Sequence, residues 1–328
     1  MYGTASGNTL SNSPPFGQAK ERKEDEGHMI KFRELTIEDK TWIDKALENH
    51  RYYSAEYCFA SIFNWRQVLN TKIGTTAEFL VTAGNYKGFS YNYFGAGDRK
   101  ALIPALIADA RERGKRFCLQ GILESEKQEL ERLFPGKLIF HEDINAFDYC
   151  YTREKLSLLK GRKLSGKRNH ISRFLSSVPS WSYEPITVEN LWECRVMSDK
   201  WYETKGCQEG SPLWYEKQSL NTAIDNFEAE GLIGGLIRVD GNVEAFTLAS
   251  PVGEDTVVVH YEKAFLNYPG CYTIINQQFA ERSCARFARI NREDDTGDES
   301  LRMAKRSYQP DEMIVKYWVT LSDEEMEE

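Results

Sequence analysis

From residue 29 onward the chain switches between helical and strand apolar periods, and the order of the switches occurs twice. ALIPALIADARERG (101–114) has apolar residues at helical spacing, RFCLQGI (116–122) reads as a strand, SEKQELERLF (125–134) as a helix and AFDYCY (146–151) as a strand. A helix from Tyr272 to Phe287, a strand at RINR (289–292), a short helix from Asp298 to Arg306 and a strand at MIVKYWVTL (313–321) follow the same order, offset by 170 positions. Each series is preceded by hairpin-forming strands. EFLVTAG (78–84) and GFSYNYFG (88–95) form the first pair, and LIGGLIRV (232–239) and VEAFTLASPV (243–252) flank an Asp240-Gly241 turn before DTVVVHYEKAF (255–265). Two amphipathic helices, 191–206 and 213–231, each ending on glycine, open the second series. Such a chain predicts an α/β fold of two tandem units, each a mixed twisted sheet flanked by helices, and 328 residues suffice for two cores. The expected divisions are 29–153 and 154–328. Residues 1–28, rich in Gly, Ser, Asn and Pro with little to bury, read as a disordered leader or an expression remnant.

Between the two series lies a stretch of unusual charge. From Lys155 to Tyr183 there is no Asp or Glu, and KGRKLSGKRNHISRF (160–174) carries six Lys and Arg in a chain of net charge −8. On a helix, Leu164, Ile171 and Leu175 share a face with Arg168 in line, while Lys163, Lys167 and His170 fall on the adjoining face. One reading is an interdomain helix whose Arg168 pairs with Asp294 or Asp295 of REDDTGDES (292–300). The other is an anion-receiving groove, with Lys163 and Lys167 facing a donor phosphate, a tRNA acceptor stem or an acidic substrate. Asn169 and Asn291 sit within or beside these stretches and read as cleft-lining. Asp298 and Glu299 suit the first turn of the following helix.

The acidic balance excludes general nucleic-acid binding and a DNA partner. No apolar run approaches the roughly 20 residues that span a bilayer, and no secretory core is present, so a cytoplasmic location is expected. Seven scattered cysteines without paired spacing argue against a disulfide framework and a zinc site, so no metal is expected. Nucleophile-elbow, Rossmann and P-loop signatures are missing. On the strand 255–265, His260 and Glu262 occupy alternate positions and read as candidate bases on one face.

YCYTREKLSLLKGRKLSGKRNHISRF (149–174), INREDDTGDESLRMAKRSYQP (290–310) and MIVKYWV (313–319) together resemble a bacterial family grouped with the C-terminal domain of phosphatidylglycerol lysyltransferases. The resemblance implies a tandem pair of GNAT-like acyl-CoA N-acyltransferase domains, related to Fem-type aminoacyl transferases. It further implies transfer of an acyl group from acyl-CoA or aminoacyl-tRNA to an amine or hydroxyl, with the donor as co-substrate and no tightly bound cofactor. By the same resemblance Tyr308 is placed as a general acid, and the helix opening at Gly270, Cys271 and Tyr272 stands where the donor's pyrophosphate is held. That loop, LNYPGCYTII (266–275), keeps one glycine of the usual Q/R-x-x-G-x-G/A pattern. The alternative expectation is a non-catalytic ligand-binding or regulatory protein that retains the fold.

Overall fold

A computed structural model describes residues 30–47 and 53–322. The leader assigned to 1–28 lies outside the described residues. Fourteen strands are present among them: β1 (Arg33–Glu34), β2 (Lys72–Thr76), β3 (Phe79–Asn85), β4 (Phe89–Phe94), β5 (Cys118–Leu123), β6 (Leu138–Glu142), β7 (Asp148–Thr152), β8 (Trp181–Pro185), β9 (Ile233–Val239), β10 (Asn242–Val252), β11 (Thr256–Ala264), β12 (Arg289–Asn291), β13 (Glu312–Ile314) and β14 (Lys316–Leu321). They form two seven-stranded sheets, β1-β2-β3-β4-β5-β14-β6 and β13-β7-β12-β11-β10-β9-β8. Each sheet has one parallel pairing among the described residues, β4 with β5 and β11 with β12, and the remaining neighbours are antiparallel. The mixed, helix-flanked, duplicated architecture is the one expected from the sequence.

The sheets do not respect the division expected at 153/154. Strand β7, from the first series, lies in the second sheet between β12 and β13, and β14, from the second series, lies in the first sheet between β5 and β6. The two units have exchanged a strand at equivalent places. Consequently the single strand expected at MIVKYWVTL is two: Glu312–Ile314 pairs with β7, and after Val315 the chain crosses to pair with β5 and β6.

Local sequence accounts for most elements. Asp240 and Gly241 both take positive φ, 47° and 86°, as the tight turn between β9 and β10 requires. The helix expected over 213–231 runs Pro212–Asp225, then Phe227–Glu230, and Gly231 closes it in the left-handed conformation. Asp298 caps Glu299–Arg306 by accepting from the Leu301 N–H. The second sheet is buried on both faces. Ala245, Ala249, Val257 and Val259 pack beneath the helix Cys271–Gln278, while Phe246, Leu248, Val258 and Tyr261 meet the helices Leu191–Thr204 and Pro212–Asp225 together with Ala55, Cys58 and Ala60 of the first unit.

At the crossover, the ammonium of buried Lys316 donates to Asp148 Oδ1 at 2.6 Å and Glu56 Oε1 at 2.7 Å. Asp148 opens β7 and is fully buried; its other oxygen accepts from the Ala55 N–H (2.8 Å) and Asn291 Nδ2 (2.9 Å). Burial opposes the charge on Lys316, but Asp148, Glu56 and Asp294 outweigh it and hold its pKa above that of an ordinary lysine. Lys316→Met is expected to lower stability by about 3 to 5 kcal/mol, measured by denaturant unfolding, because it strands a buried carboxylate. A loss no larger than that of an exposed lysine would show that the crossover does not depend on the pair.

Candidate reaction centre at the split between two parallel strands

Strands β11 and β12 pair only from Thr256 to Val258 against Arg289 to Asn291, and beyond that β11 continues without β12 beside it. In the same place β11 carries a bulge: Leu248 of β10 faces Tyr261 and Ala249 faces Val259, so His260 is the extra residue. A bulge shifts the alternation of side chains by one. His260 and Glu262, two positions apart, therefore point to opposite sides of the sheet, and their expected common face is not found.

On the side of the first unit, His260 Nδ1 lies 2.7 Å from Glu293 Oε1 and its Nε2 lies 2.7 Å from Ser250 Oγ and 3.9 Å from Cys58 Sγ. The imidazole is 4% exposed. Burial opposes its charge, but Cys58 and Glu293 carry its pKa up to about 10. Glu293 has φ 56°, a left-handed conformation costing on the order of 1–3 kcal/mol for a non-glycine residue. Its N–H is held by Asn291 Oδ1 at 2.7 Å and its carbonyl accepts from the Tyr149 N–H at 3.2 Å. Ser250 and Cys58 line a cleft of about 1070 Å³ between the units, together with Lys40, Asp44, Tyr53, Tyr57 and Glu230. Burial pushes Glu230 up to about 8, against the Asn64 hydrogen bond and the His260 charge.

On the other side, Glu262 accepts from Arg292 Nη2 at 2.9 Å and Asn276 Nδ2 at 3.2 Å. Arg292 and Lys167 both lie over the ring of Tyr308, at 4.9 and 3.9 Å from its centroid. Burial, with Arg292 beside it, brings Lys167 down to about 8, while burial takes the Tyr308 hydroxyl up to about 12. Three of the residues singled out in the sequence, Glu262, Tyr308 and Lys167, thus converge.

The other expected placements differ. The acid-free stretch forms the helix Ser165–Ser177, but its buried stripe is Leu164, Ile171, Phe174 and Val178, with Lys167 in line; Leu175 is 47% exposed. Arg168 is exposed on the neighbouring face and donates to the Leu159 and Gly161 carbonyls at 2.5 and 2.8 Å, without a carboxylate partner among the described residues. Asp295 instead accepts from Arg302 and Tyr149, which hold it near 2 against the effect of burial. Burial pushes Asp294 up to about 7, with Lys316 drawing it the other way, and its backbone carbonyl accepts from Lys305. Lys163, in the 3-10 turn Arg162–Leu164 before the helix, and Asn169, on the helix, are exposed, and Asn291 is buried at the seam.

Gly270 is a packing glycine. It sits at φ 93° where a Cβ would lie 2.2 Å from the His170 carbonyl oxygen, so the helix Ser165–Ser177 packs directly against it. Cys271 is buried and its N–H is bonded to Tyr268, while the Thr273 N–H bonds Gly270. Tyr272 packs against the core of the second unit. Glu293, with Asp294 and Asp295, can be read from the sequence as bordering a cleft at the carboxyl end of a strand, but Ser250, Cys58 and Arg292 cannot, since nothing in the linear spacing of residues 58, 250, 260 and 293 joins them. The period-2 parity of β11 was legible, and only the register with β10 reveals the bulge.

Residues 49–320 match the family model for the C-terminal region of phosphatidylglycerol lysyltransferase. Among solved structures the chain is similar to a conserved protein of unknown function from Bacteroides thetaiotaomicron, with 36% identity, coverage of 90% of this chain and 100% of that one, and a TM-score of 0.85. It is also similar to L-PGS from Bacillus licheniformis (13% identity, 83% and 93% coverage, TM-score 0.55) and to FemX (10%, 90% and 98%, 0.54), which at such identities share the fold alone. None of the curated proteins is significantly similar in sequence.

Glu230 yields a test of the cleft's electrostatics. Its folded-state pKa, about 8, is above the ordinary value of 4.5, so the stability it contributes is full below 4.5 and is lost as pH rises through 8. Glu230→Gln is expected to gain melting temperature relative to the wild type progressively between those limits, read by thermal unfolding at several pH values. A difference independent of pH would mean that Glu230 ionises normally.

Proposed function

The chain belongs to the phosphatidylglycerol lysyltransferase C-terminal family, and from that premise we propose that it transfers an acyl or aminoacyl group from an activated donor to an amine or hydroxyl acceptor. The observation that supports this reading best is the split itself: two parallel strands part where a bulge sets a carboxylate-backed imidazole behind the wall of a cleft. An imidazolium fixed by Glu293 can protonate a departing alkoxide or thiolate and favour the negative charge that develops on the carbonyl oxygen. Lys167, titrating near 8 on the far side of β11, supplies a second group able to exchange a proton near neutral pH.

The donor in this reading is an aminoacyl ester, such as the acceptor end of an aminoacyl-tRNA, rather than a coenzyme A thioester. The family takes its name from lysyl transfer to phosphatidylglycerol. Furthermore, the helix Ser165–Ser177 packs on Gly270, and the Cys271 and Thr273 N–H groups at the start of the next helix are bonded within their own turn, which leaves fewer donors for a pyrophosphate. That close packing also favours a second reading, in which the protein binds a ligand in the cleft between the units without turning it over.

The two readings separate in a direct assay. Labelled aminoacyl-tRNAs, acetyl-CoA and longer acyl-CoAs would each be incubated with the full chain, with phosphatidylglycerol vesicles or simple amines as acceptors. Label is expected to leave an aminoacyl-tRNA for an acceptor, and Glu293→Gln to lower kcat by about 10²- to 10⁴-fold without a matching loss of melting temperature. Thermal stabilisation by a ligand without turnover of any donor would contradict the transferase reading and support the binding one.

A further inference from the structure

A second concavity, of about 740 Å³, lies between the helix Leu191–Thr204, the start of β10 and the chain leaving β11, and it shares no lining residue with the cleft between the units. Three large apolar side chains line it while facing water: Trp192 is 63% exposed, Leu266 60% and Val196 43%. Such residues are ordinary one at a time, but three around one groove make a surface that a ligand can cover. Glu244 stands in the wall of the same groove. It is the extra residue of a bulge in β10, since Val243 faces Arg238 of β9 and Ala245 faces Ile237. The bulge reverses the parity of the strand, so Val243 packs on the side of the helix Leu191–Thr204 and Ala245 on the side of the helix Cys271–Gln278. The Glu244 carbonyl oxygen accepts from the Phe265 N–H at 3.0 Å and the Cys271 thiol at 3.7 Å, which fixes the backbone. Its side chain is half-buried, and Oε2 is buried without a hydrogen-bond partner among the described residues. Burial pushes the Glu244 pKa up, and Lys200 draws it the other way. The other charged or titratable groups about it are Glu193, Glu203 and Lys205 on the helix side, and Tyr268 and Cys271 beyond β11. Glu193 is engaged with Arg238, at 2.6 and 2.9 Å, and Lys205 stands over the ring of Trp201.

We propose that this groove is a binding site for a primary amine borne on an aliphatic or aromatic group, with the ammonium on Glu244 and the apolar part over Trp192, Val196 and Leu266. The site needs no transfer step and does not rest on the transferase reading given above. A carboxylate oxygen withdrawn from water calls for a donor, and an ammonium meets it with charge as well as hydrogen bonds. Lys200, exposed at the rim, acts on Glu244 through its charge and makes no ion pair with it among the described residues. The indole of Trp192 offers a face that packs against hydrocarbon and attracts a cation alike. A bare ammonium would leave the three apolar side chains in water, and an uncharged apolar molecule would leave the carboxylate oxygen unpaired, so the groove selects a molecule that has both parts. Its volume falls within the range of about 300–1,000 Å³ found for small-molecule sites. The same chemistry is offered by a small free amine and by the amino terminus of a peptide that begins with an apolar residue.

Isothermal titration calorimetry on the full chain, with hexylamine and 2-phenylethylamine as probes, tests the proposal. Both are expected to bind about ten-fold or more tightly than methylamine, which lacks the apolar part, and than hexanol, which lacks the charge. Glu244→Gln, shown by melting to be folded, is expected to weaken hexylamine by about ten-fold and to leave hexanol unchanged. Trp192→Ala, at an exposed position, is expected to weaken both. The wild-type affinity for hexylamine falls as pH is lowered through the range in which Glu244 takes up a proton, because the amine stays charged while its partner is neutralised, and Glu244→Gln abolishes that dependence. A tripeptide amide beginning with phenylalanine, with its N-acetyl form as the control, separates the two sources: binding tighter than hexylamine assigns the site to chain ends, and weaker binding assigns it to small amines. Equal binding of hexylamine and hexanol, a hexylamine affinity that Glu244→Gln leaves unchanged, or no binding of either probe overturns the proposal, whether or not the protein is a transferase.

Discussion

The buried pair between Asp148 and Lys316 is the constraint on which the rest of the structure depends. Asp148 begins the strand that the first series gives to the second sheet, and Lys316 begins the strand that the second series gives to the first. Two charges removed from water at such a place need close partners. Lys316 meets two carboxylates, and Asp148 accepts from an ammonium, a backbone N–H and an amide. Strand exchange brings these groups together, and their mutual satisfaction fixes the exchange in one register.

The same network reaches the candidate reaction centre. Asp148 holds Asn291 at the end of β12, Asn291 holds the Glu293 N–H, and Glu293, forced into a left-handed conformation, holds the imidazole of His260. His260 in turn stands free of the strand ladder because of the bulge in β11. A backbone conformation that costs energy persists where its surroundings over-determine it, and here they do so from both sides. The cleft is therefore not a gap between two independent domains. Its wall is made by the end of β10 in one unit and the Cys58 segment of the other.

The fold was largely legible because it is written in local periods. Helices and strands alternate in the right order, and Asp240-Gly241 and Gly231 behave as their backbone needs dictate. Edge and crossover strands were not. The strands Leu138–Glu142 and Trp181–Pro185 are short and half exposed, and the crossover inside MIVKYWVTL depends on which sheet offers a partner, a property of the assembled molecule. In the helix Ser165–Ser177 a phase error of one residue, Leu175 in place of Phe174, exchanged the roles of Lys167 and Arg168. At the site, Glu262, Tyr308 and Lys167 could be found from chemistry and position. His260 could be found but not its direction, since a bulge is a relation between two strands, and Gly270 looked like a ligand loop because glycine serves close packing and phosphate approach alike.

Native-state hydrogen exchange gives the most direct test that the exchanged strands make one cooperative body whose seam positions the site. Amides of β5, which borders the strand given to the first sheet, and of β12, which borders the strand given to the second, would be followed in the wild type and in Asp148→Asn. The account predicts equal opening free energies for both in the wild type and an equal fall in both in the variant. Opening of one sheet with the other unchanged would contradict it, and the two units would then be separate domains that merely touch.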